Sequence, residues 1–261
     1  MKRTSIPFSF PNGRGEQLAG ILDLPAEAPL FFGVFAPCFT CVKESHGAAK
    51  ICREMAEHGA AMLRFDITGI GGSQGSFAEQ NFSNRIQDII AACHALSVEY
   101  EPPKLLVGHS ISGTAAIHAV PKLPPLQAVA TVGSPRSPAY VIEKFRSQNR
   151  ITERNDGLID IDVLGQPVAF KPSFIDDMMQ HDTEADIAKI SKKLFVFHAP
   201  HDDIVSYANA EALFSAANDN PANDAELVRL SDDATHLFEA RKEDAVFVAE
   251  TLLDWFRTHL R

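Results

Sequence analysis

The decisive stretch of this sequence is KLLVGHSISG at residues 104–113, where one serine directly follows a short apolar run. Lys104 to Gly108 has the composition of a strand buried on both faces, and Thr114 to Val120 has that of a helix. Ser110 therefore falls in a tight turn from strand to helix, which holds its hydroxyl exposed near the positive end of the helix dipole. This context predicts a nucleophilic serine, whereas the alternative is a serine that only caps the helix.

Other apolar runs alternate with helical segments on both sides of this stretch. Runs rich in Val, Leu, Ile and Phe recur at Leu30 to Ala36, Ala60 to Asp66, Ala128 to Gly133, Lys193 to His198 and Glu226 to Leu230. Ser45 to His58 and Asn81 to Glu99 have helical periodicity, and residues 5–24 predict an antiparallel hairpin around Pro11-Asn12-Gly13. The alternation predicts an α/β protein, with a mostly parallel central sheet and helices on both faces.

One connection is much longer than the others, because about 60 residues lie between the runs that end at Gly133 and begin at Lys193. Its predicted elements are a helix at Tyr140 to Arg150, a hairpin at Leu158 to Phe170 around Leu164-Gly165-Gln166, and a helix at Ser173 to Met179. We expect one domain over residues 1–261, with a lid insertion at approximately 134–190 that covers the site. Its large apolar side chains either line a substrate pocket or form the lid's own core; they are Phe145, Phe170, Phe174, Met178 and Met179.

A serine hydroxyl becomes a strong nucleophile only when a base removes its proton and a third group orients that base. Asp202 lies just past the run that ends at His198, and His236 lies in a loop before the last helical segment. The order serine, acid, histidine is typical of strand-turn-helix serine nucleophiles. We therefore predict Ser110 as nucleophile, Asp202 as orienting acid and His236 as base. Asp203 is the alternative acid, since it could equally cap the following helix.

Acyl transfer also needs backbone N–H donors that face the developing oxyanion. One candidate is the N–H of Ile111, the residue after the proposed nucleophile. The other comes from the loop after the run Leu30 to Ala36, where we select Phe39 and keep Cys38 as the alternative.

Composition and charge exclude several classes of function. The chain has 45% hydrophobic residues and a formal net charge of −10, and its basic residues are scattered, which argues against nucleic-acid binding. No apolar run approaches the ~20 residues of a membrane span, and the start lacks the apolar region of a secretory signal. We expect a cytoplasmic protein that acts on a small molecule. The sequence carries no signal for an oligomeric state.

Four cysteines are too few for a disulfide scaffold in a chain of this length, so we expect free thiols. Cys38 and Cys41 form a C-x-x-C pair, but the context of a thioredoxin-like unit is missing. His198, His201 and Asp202 lack the spacing of a helical pair of metal ligands. We therefore predict no metal site and no cofactor.

Several stretches resemble one family closely. They are Ala36 to Cys41, Arg64 to Gly69, Asn81 to Ser83, Gly108 to Ser110, Phe174 to Asp177 and His198 to Pro200. Together they resemble the α/β-hydrolases, and most closely the hydrolase module that some bacterial proteins fuse to an OsmC-type domain. We expect no such second domain here, because the chain ends with its last helical segment. The sequence departs from the family at Pro37, where histidine is common, and at Ser112, where glycine is common.

The resemblance implies the α/β-hydrolase fold, the triad Ser110, Asp202 and His236, and oxyanion donors at Phe39 and Ile111. We expect a carboxylesterase-type serine hydrolase that cleaves an ester or related acyl substrate through an acyl-enzyme. One alternative is a hydrolase-fold binding or sensor protein without turnover. Another is a thiol redox protein that uses Cys38 and Cys41.

Overall fold

A computed structural model describes residues 2–163 and 165–260 of the protein. Its strands are β1 (Thr4–Pro11), β2 (Gln17–Leu24), β3 (Phe31–Ala36), β4 (Ala60–Phe65), β5 (Leu105–His109), β6 (Ala128–Val132), β7 (Ile151–Glu153), β8 (Ile159–Val163), β9 (Gln166–Phe170), β10 (Lys193–His198) and β11 (Asp224–Arg229). Its α-helices are α1 (His46–Glu57), α2 (Phe82–Glu99), α3 (Ile111–Ala119), α4 (Pro138–Ser147), α5 (Ser173–Met179), α6 (Thr183–Ile187), α7 (Ala208–Asn218) and α8 (Lys242–His259).

In the described ranges eight strands form one sheet, in the order β1-β2-β4-β3-β5-β6-β10-β11. β2 pairs antiparallel with β1 and with β4, and every other neighbouring pair is parallel. The predicted N-terminal hairpin and the mostly parallel sheet are both confirmed. Because β3, β5, β6 and β10 are parallel neighbours, their carboxyl ends lie side by side along one edge of the sheet.

Helices cover both faces of this sheet, as the alternating pattern predicted. On one face, Ile51 of α1 and Leu252 of α8 lie in a single apolar cluster with the side chains of the strands beneath them. On the other face, Ile89 of α2, Ile117 of α3 and Leu213 of α7 belong to a second cluster. None of the described helices has both the length and the apolar content needed to cross a membrane.

The long connection between β6 and β10 holds a small sheet and three helices. In it β7, β8 and β9 pair antiparallel, and α4 precedes them while α5 and α6 follow. The predicted hairpin is confirmed as β8 and β9, although Leu164 of its turn lies outside the described residues. The sequence did not predict β7, since this strand has three partly or fully exposed residues and no alternation. It did not predict α6 or α7 either.

Ser110 forms the turn between β5 and α3, with φ 56° and ψ −130°. A non-glycine residue with positive φ is strained, and such strain is typical of a nucleophile held at a sharp turn. The helix begins at Ile111, three residues before the predicted start at Thr114. Gly108 and Gly113 lie on either side of the turn, and a Cβ on Gly108 would lie 2.6 Å from the nitrogen of Gly113.

Replacing Gly113 with alanine should destabilise the fold, since the new Cβ would lie 2.7 Å from the Gly108 carbonyl oxygen and closer still to Ser134 Oγ. We expect the free energy of unfolding in urea to fall by roughly 1 to 3 kcal/mol or more, as overpacking does. Gly13→Ala is the matched control, because no atom of the described residues lies within 4 Å of the Cβ it would introduce. Equal unfolding midpoints for the two variants would show that the turn tolerates a side chain here.

Candidate functional site

Ser110 lies at the carboxyl edge of the sheet, between the ends of β5 and β6. Its backbone N–H donates to the carbonyl of Val132 at 2.8 Å, which ties the turn to the neighbouring strand. Its side chain lines a cavity of about 150 Å³ whose surface is mostly apolar. The same cavity is lined by Phe39, Ile111 and His236, so the structure brings together residues that lie far apart in the sequence.

His236 and Asp202 are joined by a hydrogen bond between Nδ1 and Oδ2 at 2.7 Å. A carboxylate only accepts, so Nδ1 carries a proton, and a ring that holds its proton there can accept another at Nε2. The other carboxylate oxygen of Asp202 accepts from the N–H groups of Ile204 at 2.9 Å and Val205 at 2.8 Å. The acid is therefore held on both oxygens, and it can orient the imidazole.

The charge on Asp202 is stabilised although the residue is buried. Burial raises the pKa of this carboxyl, but the hydrogen bond and charge of His236 and the N–H of Val205 outweigh it, so the pKa is lowered overall. Asp203, the alternative acid, lines the cavity, whereas Asp202 makes the hydrogen bond to His236. The geometry thus favours Asp202 over Asp203 as the partner of the histidine.

Gly133 lets the Asp202–His236 pair lie close against the end of β6. It has φ 58°, and a Cβ there would lie 3.2 Å from His236 Nδ1 and 3.3 Å from Asp202 Oδ2. Below the pair, His109 Nε2 donates to the carbonyl of His236 at 2.8 Å. Burial and the nearby His236 lower the pKa of His109 to about 3, so this ring is neutral and serves to hold the loop of His236.

The loop between β3 and α1, which carries Phe39, faces the cavity beside the N-terminus of α3. In the described chain no backbone carbonyl or side chain accepts a hydrogen bond from the N–H of Phe39 or of Ile111. Two unpaired donors at the edge of one cavity are what an oxyanion site requires. Both residues line the cavity with Ser110, and their role as oxyanion donors stays a prediction.

Sequence reasoning missed Arg85, which lies directly behind this loop. Arg85 is 2% exposed, and its guanidinium contacts the loop that carries Phe39. A signal was present in the sequence, because Arg85 falls on the apolar stripe of α2 between Phe82 and Ile89. A charged residue on such a stripe is buried with a specific partner.

The expectation of four free thiols was wrong for two of them. Cys38 and Cys41 are bonded to each other, with their Cα atoms 5.1 Å apart, whereas Cys52 and Cys93 are free and buried. Composition could not indicate this bond, because it depends on how the loop after β3 brings the two residues together. The sulfur atoms also lie near His109, and the three side chains offer ligand atoms within 4.8 Å of one another.

The apolar side chains of the long connection divide between the two roles that the sequence left open. Phe145 lines the cavity that contains Ser110. Phe170, Phe174 and Met178 pack in the core behind Phe39, where the rings of Phe170 and Phe174 stack with centroids 4.4 Å apart, and they line a second, smaller cavity beside Phe39. Met179 is 43% exposed and belongs neither to the wall of the cavity that contains Ser110 nor to this core.

Comparison with known proteins agrees with this fold. An esterase domain from a Rhodothermus marinus protein is 35% identical over the whole of both chains, with a TM-score of 0.78. The chain belongs to the α/β-hydrolase superfamily. Residues 41–152 of this hydrolase match the family model described as serine aminopeptidase, S33. The predicted fold class is confirmed.

Two other relatives of this α/β hydrolase are more distant. Est1E from Butyrivibrio proteoclasticus, solved with ferulic acid bound, is 19% identical over 95% of this chain and 98% of its own, with a TM-score of 0.78, which shows the shared fold. The mitochondrial palmitoyl-protein thioesterase ABHD10 of Rattus norvegicus is 28% identical over 105 residues, 40% of this chain. That match spans a third of the thioesterase.

An alkylating reagent such as N-ethylmaleimide should label Cys41 of the native hydrolase, which is partly exposed, only after a dithiol has reduced its bond to Cys38. Cys52 and Cys93 should resist labelling in both states, because they are buried and burial raises the pKa of their thiols. Mass spectrometry counts the labels, and reduced protein unfolded in guanidinium is the control in which all four cysteines react. Labelling of Cys41 without reductant would contradict the bond.

Proposed function

We propose that this α/β hydrolase is a serine esterase that cleaves a carboxylic ester or a related acyl substrate through an acyl-enzyme. One observation carries the proposal. Ser110, strained at the turn after β5, lines the same cavity as an imidazole whose Nδ1 is bound to a buried carboxylate. The likeness over its full length to an esterase domain supports it further.

In the proposed reaction Ser110 Oγ attacks the acyl carbonyl carbon, and His236 Nε2 takes the hydroxyl proton. The Oγ–C bond forms as the carbonyl becomes a tetrahedral oxyanion, which the N–H groups of Phe39 and Ile111 stabilise. His236 then gives its proton to the leaving oxygen or sulfur as that bond breaks. Asp202 stabilises the imidazolium throughout, through the hydrogen bond at 2.7 Å.

Water completes the cycle by the same route. His236 removes a proton from a water molecule, the hydroxide adds to the acyl carbon, and the Oγ–C bond breaks as the proton returns to Ser110. The reaction consumes water and needs no redox partner, so we propose that no cofactor takes part.

The mostly apolar cavity favours a small acyl substrate. We propose that the segment at approximately 134–190 acts as a lid within one domain, since Phe145 of α4 contributes to the cavity wall. The partial match to a palmitoyl-protein thioesterase makes a thioester a candidate beside an oxygen ester.

A thiol redox protein is the second candidate, and the bond between Cys38 and Cys41 is the observation that favours it. The redox and esterase functions depend on different residues: a redox function needs the two cysteines, and an esterase needs Ser110. A cytoplasmic location remains part of the proposal, and the bond would there be open to reduction. Retained ester hydrolysis in Cys38→Ser/Cys41→Ser protein would favour the esterase.

A fluorophosphonate probe should label Ser110, and Ser110→Ala should abolish both labelling and turnover of p-nitrophenyl acetate. The expected loss in kcat is on the order of 10⁶ if the three residues act as a unit. Peptide mass spectrometry identifies the labelled serine, and Ser134→Ala, which alters another buried serine at the sheet edge, serves as control. A label on any serine other than Ser110 would refute the assignment.

Asp202→Asn should lower kcat by about 10⁴, because an amide no longer holds His236 in the tautomer with a free Nε2. Asp203→Asn is the matched control, a neighbouring acid at the same cavity without the hydrogen bond to His236, and should change kcat by less than about tenfold. Initial rates measured at one pH on the same ester compare the two. A larger loss for Asp203→Asn would reverse the assignment of the acid.

Phe145→Ala should shift acyl-chain preference toward longer esters, because removing a ring from the cavity wall makes room for methylenes. The ratio of kcat/KM for p-nitrophenyl octanoate to that for acetate should rise by roughly 10- to 200-fold. Phe174→Ala is the control, since Phe174 packs in the core behind Phe39 and should lower the melting temperature without changing that ratio. Equal ratios in both variants would exclude Phe145 from the acyl pocket.

A further inference from the structure

Arg85 is a buried cation whose hydrogen bonds go to the loop after β3 and to the first turn of α3. In the described chain no carboxylate forms an ion pair with it, although Asp88 on the same helix favours its charge. Burial lowers the pKa of the guanidinium to about 10, so it is protonated at neutral pH. A buried charge without an ion-pair partner costs stability, and proteins retain such groups where their hydrogen bonds serve a purpose.

Within the described residues the guanidinium makes three hydrogen bonds, all to the two segments that carry the proposed oxyanion donors. Nη1 donates to the carbonyl of Cys38 at 3.2 Å and to Ser112 Oγ at 2.8 Å. Nη2 donates to the carbonyl of Phe39 at 2.9 Å. The carbon of the guanidinium also lies 5.5 Å from the centre of the Phe39 ring.

We propose that Arg85, held by Ser112, is a positioning residue that directs the N–H of Phe39 into the cavity. This inference rests on the proposed esterase function and assigns roles to two side chains in it.

The geometry of the peptide bond links these contacts to the donor. The carbonyl of Cys38 and the N–H of Phe39 belong to the same peptide group, which is planar and trans. In a trans peptide the carbonyl and the N–H point in opposite directions. Because Arg85 binds the carbonyl oxygen on one side of the loop, the N–H of Phe39 must point away from Arg85, where Ser110 and the cavity lie.

The contacts of Arg85 also strengthen the donor. A cation bound to the carbonyl of Cys38 polarises that peptide group, which makes its N–H a better donor to a developing negative charge. The hydrogen bond from Arg85 to the carbonyl of Phe39 fixes the next peptide group as well, with its carbonyl directed toward Arg85. Loss of the guanidinium would leave both peptide groups free to rotate.

The same contacts explain why this chain carries serine at position 112. The close approach that demands glycine falls at Gly108 and Gly113. The side chain of Ser112 instead faces Arg85 and accepts its hydrogen bond, so that α3 and the loop after β3 are bound to one guanidinium. Glycine here would leave one donor of Arg85 without its partner.

Kinetics on p-nitrophenyl acetate test the proposal, with Arg85→Met and Arg85→Lys made in the full chain. Arg85→Met should lower kcat by about 10²- to 10³-fold, as the loss of one oxyanion donor does, while KM changes by less than about threefold. Arg85→Lys should recover roughly a tenth of the wild-type kcat, because it keeps the charge but not the fork of donors. The matched control is Arg64→Lys, another fully buried arginine, which pairs with Asp23 at 2.7 Å and should leave kcat within about threefold.

A double-mutant cycle with Ser112→Ala covers the case in which Arg85→Met does not fold. Ser112→Ala alone should lower kcat by roughly 3- to 10-fold. If the serine acts through the guanidinium, adding Ser112→Ala to the Arg85→Lys variant should cause no further loss of kcat. Additive losses would show that Ser112 acts independently of Arg85, which would overturn its role in the proposal.

A boronic acid that forms a tetrahedral adduct with serine separates positioning from a structural role. Its Ki should rise in the Arg85 and Ser112 variants in proportion to the loss in kcat/KM, because the adduct places an oxygen at the oxyanion position. A lower melting temperature with unchanged kcat and unchanged Ki would overturn the proposal. If Ser110→Ala in the otherwise wild-type protein does not abolish turnover, the proposed function itself is overturned.

Discussion

The chain passes from β5 into α3 through a single strained residue, and the backbone on either side of it is in direct contact. Gly108 and Gly113 leave no room for a side chain at that contact, so the turn is held by packing and not by a flexible loop. Ser110 has a strained backbone conformation, with φ 56°, and its hydroxyl lies at the edge of the sheet. Every other element of the candidate site is arranged around this fixed point.

The parallel sheet supplies the rest of the site because neighbouring strands end at the same edge. β3 ends before the loop of Phe39, β6 ends at Val132 directly before Gly133, and β10 ends four residues before Asp202. Gly133 allows the acid and the histidine to lie across the end of β6. The site therefore depends on strand order in the sheet, since residues far apart in the sequence are adjacent only if β3, β5, β6 and β10 are neighbours.

The sequence predicted the secondary-structure elements more successfully than the contacts among them. Buried strands and amphipathic helices have a periodic pattern that local composition reveals, so β10 and α5 were located correctly to the residue. The start of α3 was placed too late, because serine and glycine in its first turn do not have the composition of a helix. β7 has only three residues and little burial, so no alternating pattern was available to indicate it.

By itself, the sequence determined the α/β class and the turn at Ser110, because both rest on local composition. It also proposed the serine, the acid and the histidine, from their order along the chain. Only the tertiary structure decided which of two adjacent acids meets His236, which phenylalanines line the cavity, that Cys38 and Cys41 are bonded, and that Arg85 lies behind the loop of Phe39. These outcomes depend on distances between segments that are remote in the chain. Such distances follow from how the layers pack, and no local pattern of residues records them.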